Sequence, residues 1–267
     1  GIPGDDLQRE RAEAQHKPCG TNPGIKLREV IRSVKERVIT WLWPDTCPFC
    51  GRVNSRGICS RCRHASEVLR VREPRCMRCG KPVRCEEQEY CYDCMQVRHR
   101  YDRGLSLWLH RTPVSTSIYQ FKYHNQRVYG SFYAKEMAVA YGRIVKRWKP
   151  DLIMPVPLHK ERRRKRGYNQ AAVLGRELGR ILGIPVDDTS LFRRIHTDPQ
   201  KALGRQDRKK NLRRAFALRE DFRPVPAVLL VDDIYTTGNT IDAVSEVLKK
   251  KGVEKVYFLT ISIGQGY

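Results

Sequence analysis

The chain contains no long hydrophobic run. No apolar stretch approaches the ~18 residues that a membrane-crossing helix needs, and no basic-then-apolar leader opens it. A membrane span is therefore not expected, and the reading is a soluble cytoplasmic protein. Acidic residues are also scarce: 29 Asp and Glu stand against 52 Lys and Arg, a formal net charge of +23. Such an excess repels itself unless an anion shares the surface. Nucleic acid, nucleotide phosphates and anionic membrane are the candidates, and without a clearly amphipathic basic helix the membrane ranks last. No internal repeat exists beyond the cysteines described below. Apolar residues are not scarce: a hydrophobic content of 40% over 267 residues excludes wholesale disorder and allows one large domain or two smaller ones.

Residues 1–24 are polar and broken by Gly4, Pro18, Gly20, Pro23 and Gly24, which reads as a tail. In residues 25–46, Leu27, Val30, Ile31, Val34, Val38 and Leu42 recur at helical spacing before Pro44, predicting a packing helix. A cysteine-rich block fills 47–100. From 101 to 267 a larger domain is expected. Leu105–Leu109 and Ser117–Phe121 alternate like strands, and Tyr129 to Trp148 is helical. After Asp151, short apolar runs (Leu152–Val156, Val228–Val231, Val256–Ile261) alternate with helical stretches (Asn169–Leu182, Thr240–Lys251). Strands buried on both faces and separated by helices imply an α/β fold with a parallel sheet and helices on both faces.

Eight of the ten cysteines fall into four Cys-x-x-Cys pairs, arranged as Cys47-x2-Cys50-x8-Cys59-x2-Cys62 and Cys76-x2-Cys79-x11-Cys91-x2-Cys94. Two turns, each supplying two thiolates, close a tetrahedral site with no open position, so two structural zinc ions are expected. Disulfides and an iron–sulfur cluster are the alternatives. The block is short in aliphatic residues, so metal would supply its folding energy, and losing it is expected to leave the α/β domain folded. Cys19 and Cys85 fall outside the pattern, Cys85 reading as a spare thiol. Arg52, Arg56, Arg61, Arg63, Arg75, Arg78 and Arg84 stud the block, either touching nucleic acid or simply solvated. Phe49, Tyr90, Tyr92 and Tyr101 are compatible with a stacking surface for single strands, although aromatics are more often core.

The most informative stretch runs from Val228 to Thr240. An apolar strand ends in Asp232 and Asp233, and a turn containing Thr236, Thr237, Gly238 and Asn239 leads into a helix at Thr240. Backbone N–H groups and hydroxyls at a helix N-terminus suit a phosphate. Carboxylates at a strand end can accept from ribose hydroxyls or sit near magnesium, and open α/β sheets bind ligands at these ends. The segment resembles the phosphoribosyl-pyrophosphate signature of type I phosphoribosyltransferases, departing from it at Tyr235, where an aliphatic residue is usual. The resemblance implies that Asp232 and Asp233 serve the ribose and magnesium, and that Thr236, Thr237, Gly238, Asn239 and Thr240 serve the 5′-phosphate.

Upstream, Leu152-Ile-Met-Pro-Val-Pro157 precedes a run with six basic residues between Lys160 and Arg166. The same resemblance makes Pro157, Leu158, His159 and Lys160 the pyrophosphate loop, with Arg166 to Gln170 capping the next helix; the basic run is otherwise a solvated face. A second basic segment holds Arg205, Arg208 and Lys209, where phosphoribosyltransferases carry a mobile loop that closes over substrate. The order of zinc ribbons, Tyr119-Gln-Phe-Lys-Tyr123, Pro-Val-Pro, Arg-Gly-Tyr-Asn-Gln, Thr-x-x-Gln and the Asp-Asp signature resembles the ComF (competence protein F) family, over about Cys47 to Ile263.

That resemblance implies a part in bacterial DNA uptake during natural transformation, with phosphoribosyl pyrophosphate and magnesium bound. Single-stranded DNA and a competence helicase or recombination proteins are the implied partners, met at the inner face of the membrane. Two other readings stand beside it: an active phosphoribosyltransferase with an unknown acceptor, displacing pyrophosphate through an oxocarbenium-like centre, and a nucleotide-sensing scaffold without chemistry.

Overall fold

The computed structural model describes residues 46–54, 57–124, 127–194 and 215–264. The expected tail, the helix before residue 46, Cys19, the Thr197–Gln200 segment and the basic loop with Arg205, Arg208 and Lys209 lie outside these residues.

Strands β1 (Arg103–Leu109), β2 (Leu152–Pro155), β5 (Ala227–Tyr235) and β6 (Lys255–Ile263) form a four-stranded sheet in the order β1-β6-β5-β2. All its pairings are parallel, with Leu105 and Val231 both opposite Leu259, and Met154 opposite Leu230. Side chains alternate across it. Leu229, Val231, Leu259 and Ile261 pack with helices α4 (Tyr129–Trp148) and α6 (Gln170–Leu182); Val228, Leu230, Val256 and Phe258 pack with α7 (Asn239–Lys250). Cover on both faces explains why these strands read as continuous apolar runs. Beyond β2, β3 (Leu191–Arg193) and β4 (Phe216–Leu218) make a short antiparallel pair.

Ser117–Phe121 is not a strand. It lies within α3 (Val114–Tyr123), which buries Val114, Ser117, Ile118 and Phe121. Those positions follow the helical i, i+3, i+4, i+7 pattern, which becomes visible only when the window reaches back to Val114.

The cysteine block also departs from expectation, because its buried side chains belong to the cores of the α/β domain. Helices α1 (Ser60–Glu67) and α2 (Tyr92–Gln96) begin inside its second and fourth Cys-x-x-Cys pairs and carry Cys62 and Cys94. Cys47, Phe49, Ile58 and Cys62 join the cluster beneath α4, where Phe49 meets Trp108 edge-on at 5.8 Å. Cys76, Cys79 and Cys91 join the opposite cluster with Tyr101, Tyr235 and Phe258. Val71 N–H donates to Leu107 at 3.1 Å and Gly104 N–H to Arg78 at 2.8 Å, stitching the block to β1. Losing the second ribbon would therefore open the core of the sheet rather than leave it intact. Phe49 and Tyr101 are buried and available to no strand of nucleic acid; Tyr90 and Tyr92 are exposed.

Candidate functional site

β5 carries Asp232 and Asp233 to the carboxyl edge of the sheet, and the chain turns at Thr236 and Thr237, both exposed, into α7. Gly238, the N-cap, has φ 76°, a left-handed conformation that suits glycine. A Cβ there would lie 2.6 Å from the Tyr235 hydroxyl. No side chain caps this helix, so its first-turn N–H groups, which have no partner within a helix, remain available to an anion.

The two carboxylates differ. Asp233 is ion-paired, Lys122 Nζ standing 2.9 Å from its Oδ1. Asp232 accepts from the Asp233 N–H at 2.8 Å. Burial and the adjacent Asp233 charge push the Asp232 carboxyl up to about 8. At the end of β1, His110 Nδ1 meets Ser262 Oγ at 2.9 Å, and burial followed by the nearby Lys122 charge lowers its pKa.

Lys122 is brought here by the segment after α5 (Lys160–Arg166). Gln170 Nε2 donates to the Lys122 carbonyl at 3.2 Å, and the Tyr168 hydroxyl donates to the Phe121 carbonyl. Arg166 donates to the Tyr123 hydroxyl at 2.9 Å, its guanidinium 4.6 Å above that ring. Asn169 caps α6 as expected, accepting from Ala171 N–H at 3.1 Å, and donates to the Val156 carbonyl. Arg-Gly-Tyr-Asn-Gln thus clamps the end of α3 beside the acidic pair. Sequence reasoning misses both Lys122 and His110; Tyr119–Tyr123 enters it only as a landmark that overlaps the expected strand Ser117–Phe121.

Pro157, Leu158 and Lys160 line a cavity of about 680 Å³ together with Arg163, Arg176 and Arg193. His159 does not line it, nor do Asp232, Asp233 or the 236–240 turn. The rest of the basic run is solvated: residues 160–165 are exposed, while Arg166 is turned inward.

The eight paired cysteines form two groups in sequence order, Cys47, Cys50, Cys59 and Cys62, then Cys76, Cys79, Cys91 and Cys94. In each, the sulfurs lie within 4.8 Å of one another. The two ribbons repeat one design. Gly51 N–H bonds back to Cys47 and Gly80 N–H to Cys76, each at 2.9 Å, and Cys59 and Cys91 each open a helix as its N-cap. The described cysteines are free thiols, with Cys50 and Cys59 sulfurs 3.8 Å apart and Cys79 and Cys91 sulfurs 3.5 Å apart. Zn–S bonds of about 2.3 Å in a tetrahedron set sulfurs about 3.8 Å apart, so both groups fit zinc. Cys85 is exposed and belongs to neither.

Comparisons with known proteins agree with this division. A double zinc ribbon domain model matches residues 38–95, and a phosphoribosyl transferase domain model matches residues 165–262. Competence protein F of Haemophilus influenzae is 34% identical over 76% of this chain and 89% of its own length. The DNA utilization protein YhgH of Salmonella typhimurium is 30% identical over 80% of this chain and 94% of its own length. A purine phosphoribosyltransferase structure from Pyrococcus horikoshii Ot3 aligns over 49% of this chain and 74% of its own, at 18% identity and a TM-score of 0.34. The class is a double zinc ribbon built onto a phosphoribosyltransferase-type α/β domain. Within that class, the chain belongs to the competence protein F family.

Proposed function

We propose that this protein binds phosphoribosyl pyrophosphate with magnesium at the carboxyl edge of the sheet, and single-stranded DNA on its basic surface, during DNA uptake. The observation that carries the reading is the pairing of an acidic strand end (Asp232, Asp233) with an uncapped helix N-terminus one turn away. Asp232 and Asp233 accept from the ribose hydroxyls; Thr236, Thr237, Gly238, Asn239 and Thr240 hold the 5′-phosphate by N–H and hydroxyl donors. Pro157, Leu158, His159 and Lys160 face the pyrophosphate, over which Arg205, Arg208 and Lys209 close. Bound magnesium would neutralise charge on the pyrophosphate oxygens. The cysteine groups hold two structural zinc ions. The DNA strand passes onward to a competence helicase or recombination proteins, the protein working in the cytoplasm at the inner membrane face.

A second reading, transfer of the phosphoribosyl group to an acceptor, is favoured by the cavity of about 680 Å³ beside the Pro157–Lys160 loop, which has room for one. Calorimetric titration of phosphoribosyl pyrophosphate with magnesium tests the first reading. Wild type should bind, and the Asp232→Ala, Asp233→Ala double variant should not; equal heats in both, or none in either, refute it. Release of pyrophosphate only when an acceptor is added would establish transfer.

A further inference from the structure

The residue at which the signature departs from its usual aliphatic character, Tyr235, lies between Gly238 of the turn and the second ribbon. Its hydroxyl meets that of Tyr101 at 2.7 Å, and its ring stacks on Phe258 at 4.9 Å. Phe258 reaches this position because β1 has Gly104 opposite it, where a Cβ would lie 1.9 Å from the ring. Tyr101 stacks in turn on His99 at 4.8 Å. His99 Nδ1 pairs with Asp242 Oδ2 at 2.7 Å, and Asp242 Oδ1 accepts from Arg100 N–H at 2.7 Å. Asp242 lies in the first turn of α7. The turn therefore rests on the segment 99–101 through both its ends, Tyr235 before it and Asp242 after it. Between them, a Cβ on Gly238 would meet the Tyr235 hydroxyl and, at 3.1 Å, His99 Cε1.

The same segment is held by the second cysteine group. Residues 99–101 begin five positions after Cys94 along the chain. Arg78, inside the Cys76–Cys79 turn, donates to the Tyr101 carbonyl at 3.2 Å, and its own carbonyl accepts from Gly104 N–H. Cys76, Cys79 and Cys91 share one buried cluster with Tyr101, Tyr235 and Phe258. The first group, packed on the opposite face of the sheet, makes no such connection among the described residues.

We infer that Tyr235, Tyr101 and His99 are positioning residues through which the second cysteine group, and not the first, sets the shape of the 236–240 turn. Metal held at Cys76, Cys79, Cys91 and Cys94 and ligand held at the turn are then thermodynamically linked. This rests on the proposed binding of phosphoribosyl pyrophosphate. Linkage is reciprocal, so ligand must tighten the second metal site by the factor by which that metal tightens ligand, typically about 5- to 150-fold.

The test loads the full chain with zinc and titrates it with a zinc-selective chelator, with and without phosphoribosyl pyrophosphate and magnesium. Cysteine alkylation mapped by mass spectrometry distinguishes the two groups, and ligand binding is measured in parallel by calorimetry. In wild type, ligand should raise the chelator concentration needed to expose Cys76–Cys94 by about tenfold and leave Cys47–Cys62 unchanged. Tyr235→Leu, which removes the ring, should abolish the shift. Tyr235→Phe keeps the stack and should restore most of it. Ligand that binds wild type without shifting the second group, that shifts both groups alike, or that still shifts it in Tyr235→Leu overturns the inference and leaves the binding reading standing. Failure of wild type to bind ligand at all overturns both.

Discussion

Lys122 reaches across from the end of α3 to place its ammonium 2.9 Å from the Asp233 carboxylate. The pair joins residues 111 positions apart in the chain, both largely buried, beside the second carboxyl of Asp232. A lysine here neutralises one charge of an acidic pair that would otherwise repel itself. Lys122→Met keeps the stem and removes the charge, leaving Asp233 without its partner. The expected cost is about 1–3 kcal/mol of stability at pH 7. Urea denaturation checks this, and a loss that is just as large in an Asp233→Asn background would mean that only packing was disturbed.

Cys76→Ser should reduce bound zinc from two ions to one and lower the melting temperature of the whole chain in a single transition, because Cys76 is part of the core that holds Phe258 and Tyr235. Cys85→Ser, at an exposed thiol outside both groups, should keep both ions and the wild-type melt. Metal analysis alongside calorimetry distinguishes them; a separate early transition in Cys76→Ser would show that the ribbon unfolds alone.

Much of this architecture was legible because its signals are local. Spacing of cysteines placed both metal groups, apolar runs bounded by turns placed three of the parallel strands, and alternation over Leu105–Leu109 placed the fourth. What the sequence hid is non-local. Ser117–Phe121 alternates over five residues, and only burial of Val114 three positions earlier reveals a helix. Lys122 is one of 52 basic residues, and nothing in its neighbourhood distinguishes it until Tyr168 and Gln170 fasten α3 next to β5. The apparent poverty of core in the cysteine block was real locally; its apolar partners, Trp108 and Tyr101, come from beyond it.

Gly238→Ala should destabilise the fold by about 1–3 kcal/mol, since a non-glycine residue is forced into left-handed backbone and its methyl meets the Tyr235 hydroxyl. Part of that cost is steric and specific. In a Tyr235→Phe background the hydroxyl is gone, so the same substitution should cost less. A double-mutant cycle by chemical denaturation measures the difference, and strict additivity would place all of the cost in the backbone.

Single-stranded DNA should bind with an affinity that falls steeply with salt through counterion release. α5 exposes Lys160, Arg162, Arg163, Arg164 and Lys165, so Arg162, Arg163 and Arg164 together replaced by Ala should lower the slope of log K against log salt by about 2, at roughly 0.7 per phosphate released. Replacing Arg52, Arg61 and Arg63 of the first ribbon tests the alternative face. Whichever triple variant leaves the slope unchanged has no part in holding the strand.

The pH dependence of ligand binding follows from Asp232. Its carboxyl is pushed up to about 8 by burial and by Asp233, against an unfolded value near 3.9. The folded state therefore holds a proton there that the unfolded chain has already lost. That contribution to stability is fully present below about pH 4 and is lost as pH rises through 8. Without ligand, wild type should lose stability from pH 6 to pH 8.5 relative to Asp232→Asn, which carries no titrating group. Binding has the opposite sign. A ribose hydroxyl donates to the ionised carboxylate, so at pH 7 ligand must displace a proton from Asp232, and affinity should climb between pH 6 and 8 and then level off. Calorimetry at pH 7 in buffers of different ionisation enthalpy should register net proton release to the buffer from wild type and none from Asp232→Asn. Proton uptake, or affinity that falls as pH rises, would mean that Asp232 meets the ligand as the neutral acid, donating to the ligand instead of accepting from it.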